Sequence, residues 1–146
     1  MEAIILIGIQ ATGKSTFFKQ NFADTHVRIN LDMLKSRRRE ELLLDACIEG
    51  KTKFVVDNTN VSRETRARYI QPAKQAGFKV VGYYFSSKAP EAVSRNRERG
   101  LNIPPQAIYG TAKRLEIPHM DEGFDELFYV TLGGDGFSVE EWQEEA

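Results

Sequence analysis

The stretch Gly8-Ile9-Gln10-Ala11-Thr12-Gly13-Lys14-Ser15 constrains this chain more than any other. It fits the pattern G-x-x-x-x-G-K-[ST]. Ahead of it, Ala3 to Ile7 is a continuous apolar run, the mark of a strand buried on both faces. Behind it, Thr16 to Gln20 contains nothing that breaks a helix. A strand that feeds a glycine loop and then a helix N-terminus has a specific chemical use. Gly8 and Gly13 let the backbone turn tightly and bring its N–H groups up to phosphate oxygens. The helix start adds unpaired donors and a partial positive charge. Lys14 is placed to reach the outer phosphates of ATP, and the Ser15 hydroxyl to ligate Mg²⁺. With Thr16, the loop is the candidate nucleotide site.

The remainder reads as alternating strands and helices. His26 to Asn30 is a second strand, and Leu31-Asp32-Met33 leads into a helix running to about Ile48. Lys53 to Asp57 is a third strand, Ser62 caps the next helix, and Phe78 to Phe85 is a fourth strand. Pro90 opens a helix carrying Arg95 and Arg99, Gln106 to Leu115 is a further helix, and Leu127 to Leu132 is a fifth strand. After the turn Gly133 to Gly136, Ser138 and Glu141 form a capping-box pattern that predicts a short C-terminal helix, with Phe137, Val139 and Trp142 on its apolar side. This alternation implies right-handed crossovers, and so an α/β fold with a five-stranded parallel sheet and helices on both faces. Ligands in such sheets bind at the carboxyl ends of the strands, where Gly8, Asp32 and Asp57 fall.

The length of 146 residues suits one domain. A net charge of −1 provides no global field for a polyanion, so any such site must be a local patch. The single cysteine, Cys47, excludes an internal disulfide and reads as a small core residue. No apolar run reaches membrane-spanning length and the chain begins on a strand, which predicts a cytoplasmic protein without a membrane anchor.

Several side chains carry candidate chemistry, each with a plainer alternative. Asp57, closing a strand beside the loop, is a candidate Mg²⁺ partner with Ser15, or it caps the turn at Asn58. Asp32 is placed to accept the proton of an attacking hydroxyl, or it is a helix N-cap. Arg95 and Arg99 lie one turn apart and share a helix face, from which they can close over the triphosphate; Arg97 points elsewhere. The runs Lys35-Arg37-Arg38-Arg39 and Arg63-Arg66-Arg68 are either solvated helix faces or an acceptor groove for a phosphate-bearing substrate. Tyr69, Tyr83 and Tyr84 read as core. His26 and His119 have no metal-ligand spacing.

Four patches carry a resemblance to a known family: Gly8 to Thr16; Asn30 to Lys35; Asp57-Asn58-Thr59-Asn60 with Arg66 to Ile70; and Arg95 to Gly100. Between Ile4 and about Phe128 the chain resembles the kinase module of polynucleotide 5′-hydroxyl kinases, of both the phage type and animal end-processing enzymes. The resemblance implies that ATP and Mg²⁺ are held by Lys14 and Ser15. It implies further that Asp32 is the general base on a 5′-hydroxyl and that Arg95 and Arg99 form a lid. Lys35 takes the position of an acceptor-phosphate contact, and Asn58 is a second candidate acceptor contact. The implied substrate is the 5′ end of DNA or RNA, with separate phosphatase or ligase partners. A small-molecule kinase for a sugar, nucleoside or antibiotic remains an alternative on the same fold, as does an ATP-binding module serving a partner protein.

Overall fold

The computed structural model describes residues 1–144. Its centre is a six-stranded sheet in the order β2-β3-β1-β4-β5-β6. The strands are β1 (Glu2–Ile7), β2 (Val27–Ile29), β3 (Phe54–Asp57), β4 (Lys79–Phe85), β5 (Glu126–Gly133) and β6 (Gly136–Glu141). The first five are parallel. The apolar runs that mark the strands split cleanly by parity. Ile5, Ile7, Val56 and Val80 face one layer, while Ile4, Leu6, Val55 and Val81 face the other.

The helices are α1 (Lys14–Asn21), α2 (Leu31–Leu34), α3 (Arg37–Glu49), α4 (Arg63–Gln75), α5 (Ala89–Arg99) and α6 (Pro105–Arg114). Helices α3 and α4 cover the first face, and their Leu44, Cys47, Tyr69 and Ile70 join its core. Helix α1 covers the second with Phe17 and Phe18. A third, small cluster forms where α5 and α6 close over Ile9 of the glycine loop, through Ala92 and Ile108. Gly82 in β4 is required by close approach. A Cβ there would lie 2.6 Å from the Phe124 ring, so glycine admits that ring onto the sheet.

Two sequence expectations are corrected. The expected helix to Ile48 is broken: Lys35 takes a left-handed conformation (φ 74°) and Ser36 caps a new helix by accepting from the Arg39 N–H. An N-cap residue inside an otherwise helical pattern starts a second helix and turns the chain there. The expected C-terminal helix is instead β6, antiparallel to β5 and joined to it through Gly134-Asp135. A tight Gly/Asp-containing hairpin and a ladder with β5 prevail over the local capping-box pattern. Phe137 therefore packs on one sheet face and Trp142 on the other, while Val139 is exposed.

Candidate active site

The loop after β1 is braced from three sides. The Gly8 N–H donates to the Thr59 carbonyl at 2.9 Å, and the Ile9 N–H to Ser87 Oγ at 3.2 Å. Thr12 Oγ1 donates to the Ile9 carbonyl. Gly13 precedes α1 with φ 93°, and a Cβ on it would sit 2.9 Å from the Phe137 ring. Only glycine meets both conditions. Ile9 and Thr12 are buried supports, whereas Gln10, Ala11, Gly13, Lys14, Ser15 and Thr16 line an open cavity of about 390 Å³.

Lys14 is buried, and its ammonium donates to the Ile9 carbonyl at 2.6 Å. Burial lowers its pKa to about 8, against the opposing pull of Asp57. Ser15 Oγ donates to Asp57 Oδ2 at 3.1 Å. Asp57 is only 2% exposed. A hydroxyl and a carboxylate so placed are hard oxygen donors of the kind Mg²⁺ takes, with phosphate and water completing its shell. The pair therefore fits that ion. Arg28, which no sequence motif singles out, binds the same oxygen through Nε at 2.9 Å and Nη2 at 2.7 Å. It also donates to Ser15 Oγ at 3.1 Å.

Asp32 lies in the first turn of α2. Asn30, and not Asp32, is the N-cap: its Oδ1 accepts from the Met33 N–H at 2.8 Å. Among the described residues, the Asp32 carboxylate has neither a hydrogen bond nor an ion pair and is exposed. It lines the nucleotide cavity and also a second one of about 330 Å³. That second cavity extends to Arg37, Thr65, Thr111 and Arg114.

Of the lid candidates, Arg99 lines the nucleotide cavity. Arg95 donates to the Ala11 carbonyl at 3.3 Å and the Leu132 carbonyl at 3.4 Å, so it already spans the loop and the end of β5. Arg97 faces a separate cavity between α5 and α6. The two acceptor candidates fall differently. Lys35 lines neither main cavity. Asn58 lines both, but its Oδ1 accepts from the Leu31 N–H and its Nδ2 donates to Glu40. Its amide is thus committed to the protein. Arg66, read as a possible surface cation, is fully buried. It meets Glu122 through Nε at 2.7 Å and Nη2 at 3.0 Å, and donates to the Asn60 and Glu116 carbonyls.

Residues 4–118 match the family described as the AAA domain. The chain belongs to that family. It is 28% identical over 132 residues to the bifunctional polynucleotide phosphatase/kinase of Schizosaccharomyces pombe, covering 84% of this chain and 32% of that protein. It is 25% identical over 141 residues to L-seryl-tRNA(Sec) kinase of Methanococcus maripaludis, covering 84% of this chain and 55% of the other. The chain thus spans a third to about half of the length of these relatives. Among solved structures it is similar to Kti12 of Chaetomium thermophilum in complex with ADP-AlF3 (TM-score 0.66, 16% identity, 88% of each chain). It is likewise similar to a gluconokinase of Sinorhizobium meliloti 1021 (TM-score 0.62, 17% identity, 88% and 82% of the two chains). The fold is that of the P-loop kinases, with one strand more than the five expected. Among the described residues no helix is long and apolar enough to cross a membrane.

Proposed function

We propose that the protein transfers the γ-phosphoryl group of ATP to a hydroxyl, and that the preferred acceptor is the 5′-hydroxyl end of DNA or RNA. The observation that carries this reading is the position of Asp32, an unpaired carboxylate on the boundary between the nucleotide cavity and a second cavity edged by arginines. An acceptor hydroxyl entering from the second cavity meets Asp32 as it reaches the phosphate end of the first. Asp32 then takes the hydroxyl proton. Lys14 and Arg99 hold the charge spread over the phosphoryl oxygens, and the backbone N–H groups of the loop fix its position. Mg²⁺, held by Ser15 and Asp57, supplies further neutralisation of the phosphates when bound. Arg37 and Arg114, rather than Lys35, are placed to meet a phosphate on the acceptor. The similarity to a polynucleotide phosphatase/kinase and to a seryl-tRNA kinase supports an acceptor hydroxyl carried on nucleic acid.

A small-molecule acceptor is the second reading, favoured by the size of the second cavity, about 330 Å³. That volume suits a single sugar or nucleotide unit. Incubation with γ-labelled ATP and a panel of hydroxyl-ended oligonucleotides, seryl-tRNA and small metabolites separates the readings. Labelling of oligonucleotide 5′ ends supports the first. A metabolite that outcompetes every nucleic acid replaces it with the second.

A further inference from the structure

Glu40 is a buried acid that the proposed reaction does not touch. It lies in the first turn of α3, 4% exposed, and two of its three hydrogen-bond partners, Arg37 and Asn58, line the second cavity. Oε1 accepts from Tyr69 Oη at 2.9 Å and from Arg37 Nη1 at 2.9 Å. Oε2 accepts from Asn58 Nδ2 at 3.0 Å. Burial, reinforced by the charge of Glu40, raises the Tyr69 hydroxyl to about 12, so it stays a donor. Asn58 in turn accepts from the Leu31 N–H at 2.8 Å, at the first residue of the helix that carries Asp32. A four-residue helix has little intrinsic stability, so its placement depends on such ties. Two further ties are Asn30 Nδ2 to the Asp57 carbonyl at 2.6 Å and Arg39 Nη1 to the Leu34 carbonyl at 3.1 Å.

We infer that Glu40 is a positioning residue for the proposed phosphoryl transfer: through Asn58 it orients the helix bearing Asp32, and through Arg37 it holds a cation at the acceptor cavity. The inference rests on the reading of Asp32 as the base. Its chemistry is one of donor and acceptor polarity. The Leu31 N–H can only donate, which fixes the Asn58 oxygen toward it and the Asn58 NH₂ toward Glu40. A carboxylate accepts on both oxygens and satisfies Asn58, Tyr69 and Arg37 together. The isosteric amide cannot. Turned one way it sets NH₂ against NH₂ at Asn58; turned the other it sets NH₂ against the Arg37 guanidinium. Facing donors in a buried site are strongly unfavourable.

The test combines Glu40→Gln, Asn58→Asp and the double variant. It reads the Leu31 amide by hydrogen exchange and turnover with a hydroxyl-ended oligonucleotide. Glu40→Gln should lower Leu31 protection and kcat by about tenfold each while leaving the KM for ATP within about twofold, since only the acceptor side moves. Asn58→Asp alone sets two carboxylates together and should also weaken the tie. The double variant restores one donor facing one acceptor and should recover Leu31 protection. Tyr69→Phe removes a hydroxyl that donates to Glu40 and accepts from Asn58 Nδ2 at 3.3 Å, but leaves the shorter Glu40–Asn58 bond in place. It should lower thermal stability and reduce Leu31 protection less than Glu40→Gln does. Wild-type protection and turnover in Glu40→Gln, or a double variant no better than the singles, would overturn the inference. Asp32→Asn run in parallel distinguishes the two failures. If it keeps full transfer activity, the base assignment itself falls, and the role given to Glu40 falls with it.

Discussion

At the scale of single residues, the nucleotide site is held in a self-satisfied state by its own side chains. Lys14 donates into the loop it belongs to, and burial keeps its pKa near 8. Phosphate oxygens favour the charged ammonium, so a bound nucleotide raises that pKa. Below about pH 8 the lysine is charged with or without ATP, and its own contribution to binding is flat with pH. Above it the free protein has lost the proton and must take one up to bind. The dissociation constant for ATP should therefore rise by up to about tenfold per pH unit above pH 8, until the bound-state pKa is reached. Calorimetry in buffers of different ionisation enthalpy reads both the affinity and the proton uptake. Lys14→Met should bind more weakly and show no such slope; a slope that survives in it would assign the titration elsewhere. Asp57 presents the complementary case. Among the described residues its ion-pair partner is Arg28, which also reaches Ser15. Removing that partner leaves a buried carboxylate unpaired. Arg28 is partly exposed, so Arg28→Ala should cost about 2–3 kcal/mol, somewhat less than loss of a fully buried partner. Mg²⁺ at the same oxygens should then raise the melting temperature of Arg28→Ala more than that of the wild type. Equal metal effects in the two proteins would show that Ser15 and Asp57 do not hold the ion.

At the scale of elements, one buried side chain ties α4 to two separate turns. Arg66 uses Nε, Nη1 and Nη2 on Glu122 and two backbone carbonyls, one of them at Asn60 in the turn that follows β3. It ties α4 both to that turn and to the 3₁₀ turn Met120–Glu122. Arg66→Ala leaves Glu122, 2% exposed, without its cation, and should cost about 3–5 kcal/mol in urea unfolding. Arg63→Ala, whose ion pair with Asp121 is exposed, should leave the urea midpoint nearly unchanged. Equal costs would mean that Arg66 carries only surface charge. In sequence, both arginines belong to one basic helix run, and nothing in that run separates them. The partner of Arg66 lies 56 residues away, which no local pattern reports. The same limit explains Arg28, which stands in a short strand with nothing local to mark its partner Asp57, and Glu40, whose partners Asn58 and Tyr69 lie far along the chain. What was legible is what depends on near neighbours: the loop and its flanking strand and helix, the alternation of strands and helices, and the placing of Arg95 and Arg99 on a different helix face from Arg97. The end of the chain shows the converse. Ser138 and Glu141 make a local helix signal, but the ladder between Gly136–Glu141 and Glu126–Gly133 is a tertiary fact that overrides it.

At the scale of the whole molecule, the sheet order brings two cavities together at the carboxyl ends of the strands. The nucleotide cavity is built on the β1 loop and α1. The second cavity lies among α3, α4 and α6, with Asp32 on the boundary. With no net basic field, the proposed acceptor reading leaves recognition of a charged acceptor to the few cations that edge this second cavity. Arg114 folds back beside Gly110 toward Thr111 and has no carboxylate partner among the described residues. Lys35 lies outside the cavity on the turn between α2 and α3. The two cations therefore have different expected roles, although both are exposed. Arg114→Ala should raise the KM for a phosphate-bearing acceptor by about tenfold, the effect of one lost charge-assisted contact, and make it less salt-dependent. The KM for ATP should stay unchanged, because Arg114 does not line the nucleotide cavity. Lys35→Ala should change the acceptor KM by less than about twofold, as expected of an exposed charge off the path. Steady-state kinetics on an oligonucleotide across a salt series compares the two directly. A larger effect from Lys35 than from Arg114 would place the acceptor along the outer face of α2, and the second cavity would then lose its role as the acceptor's entrance.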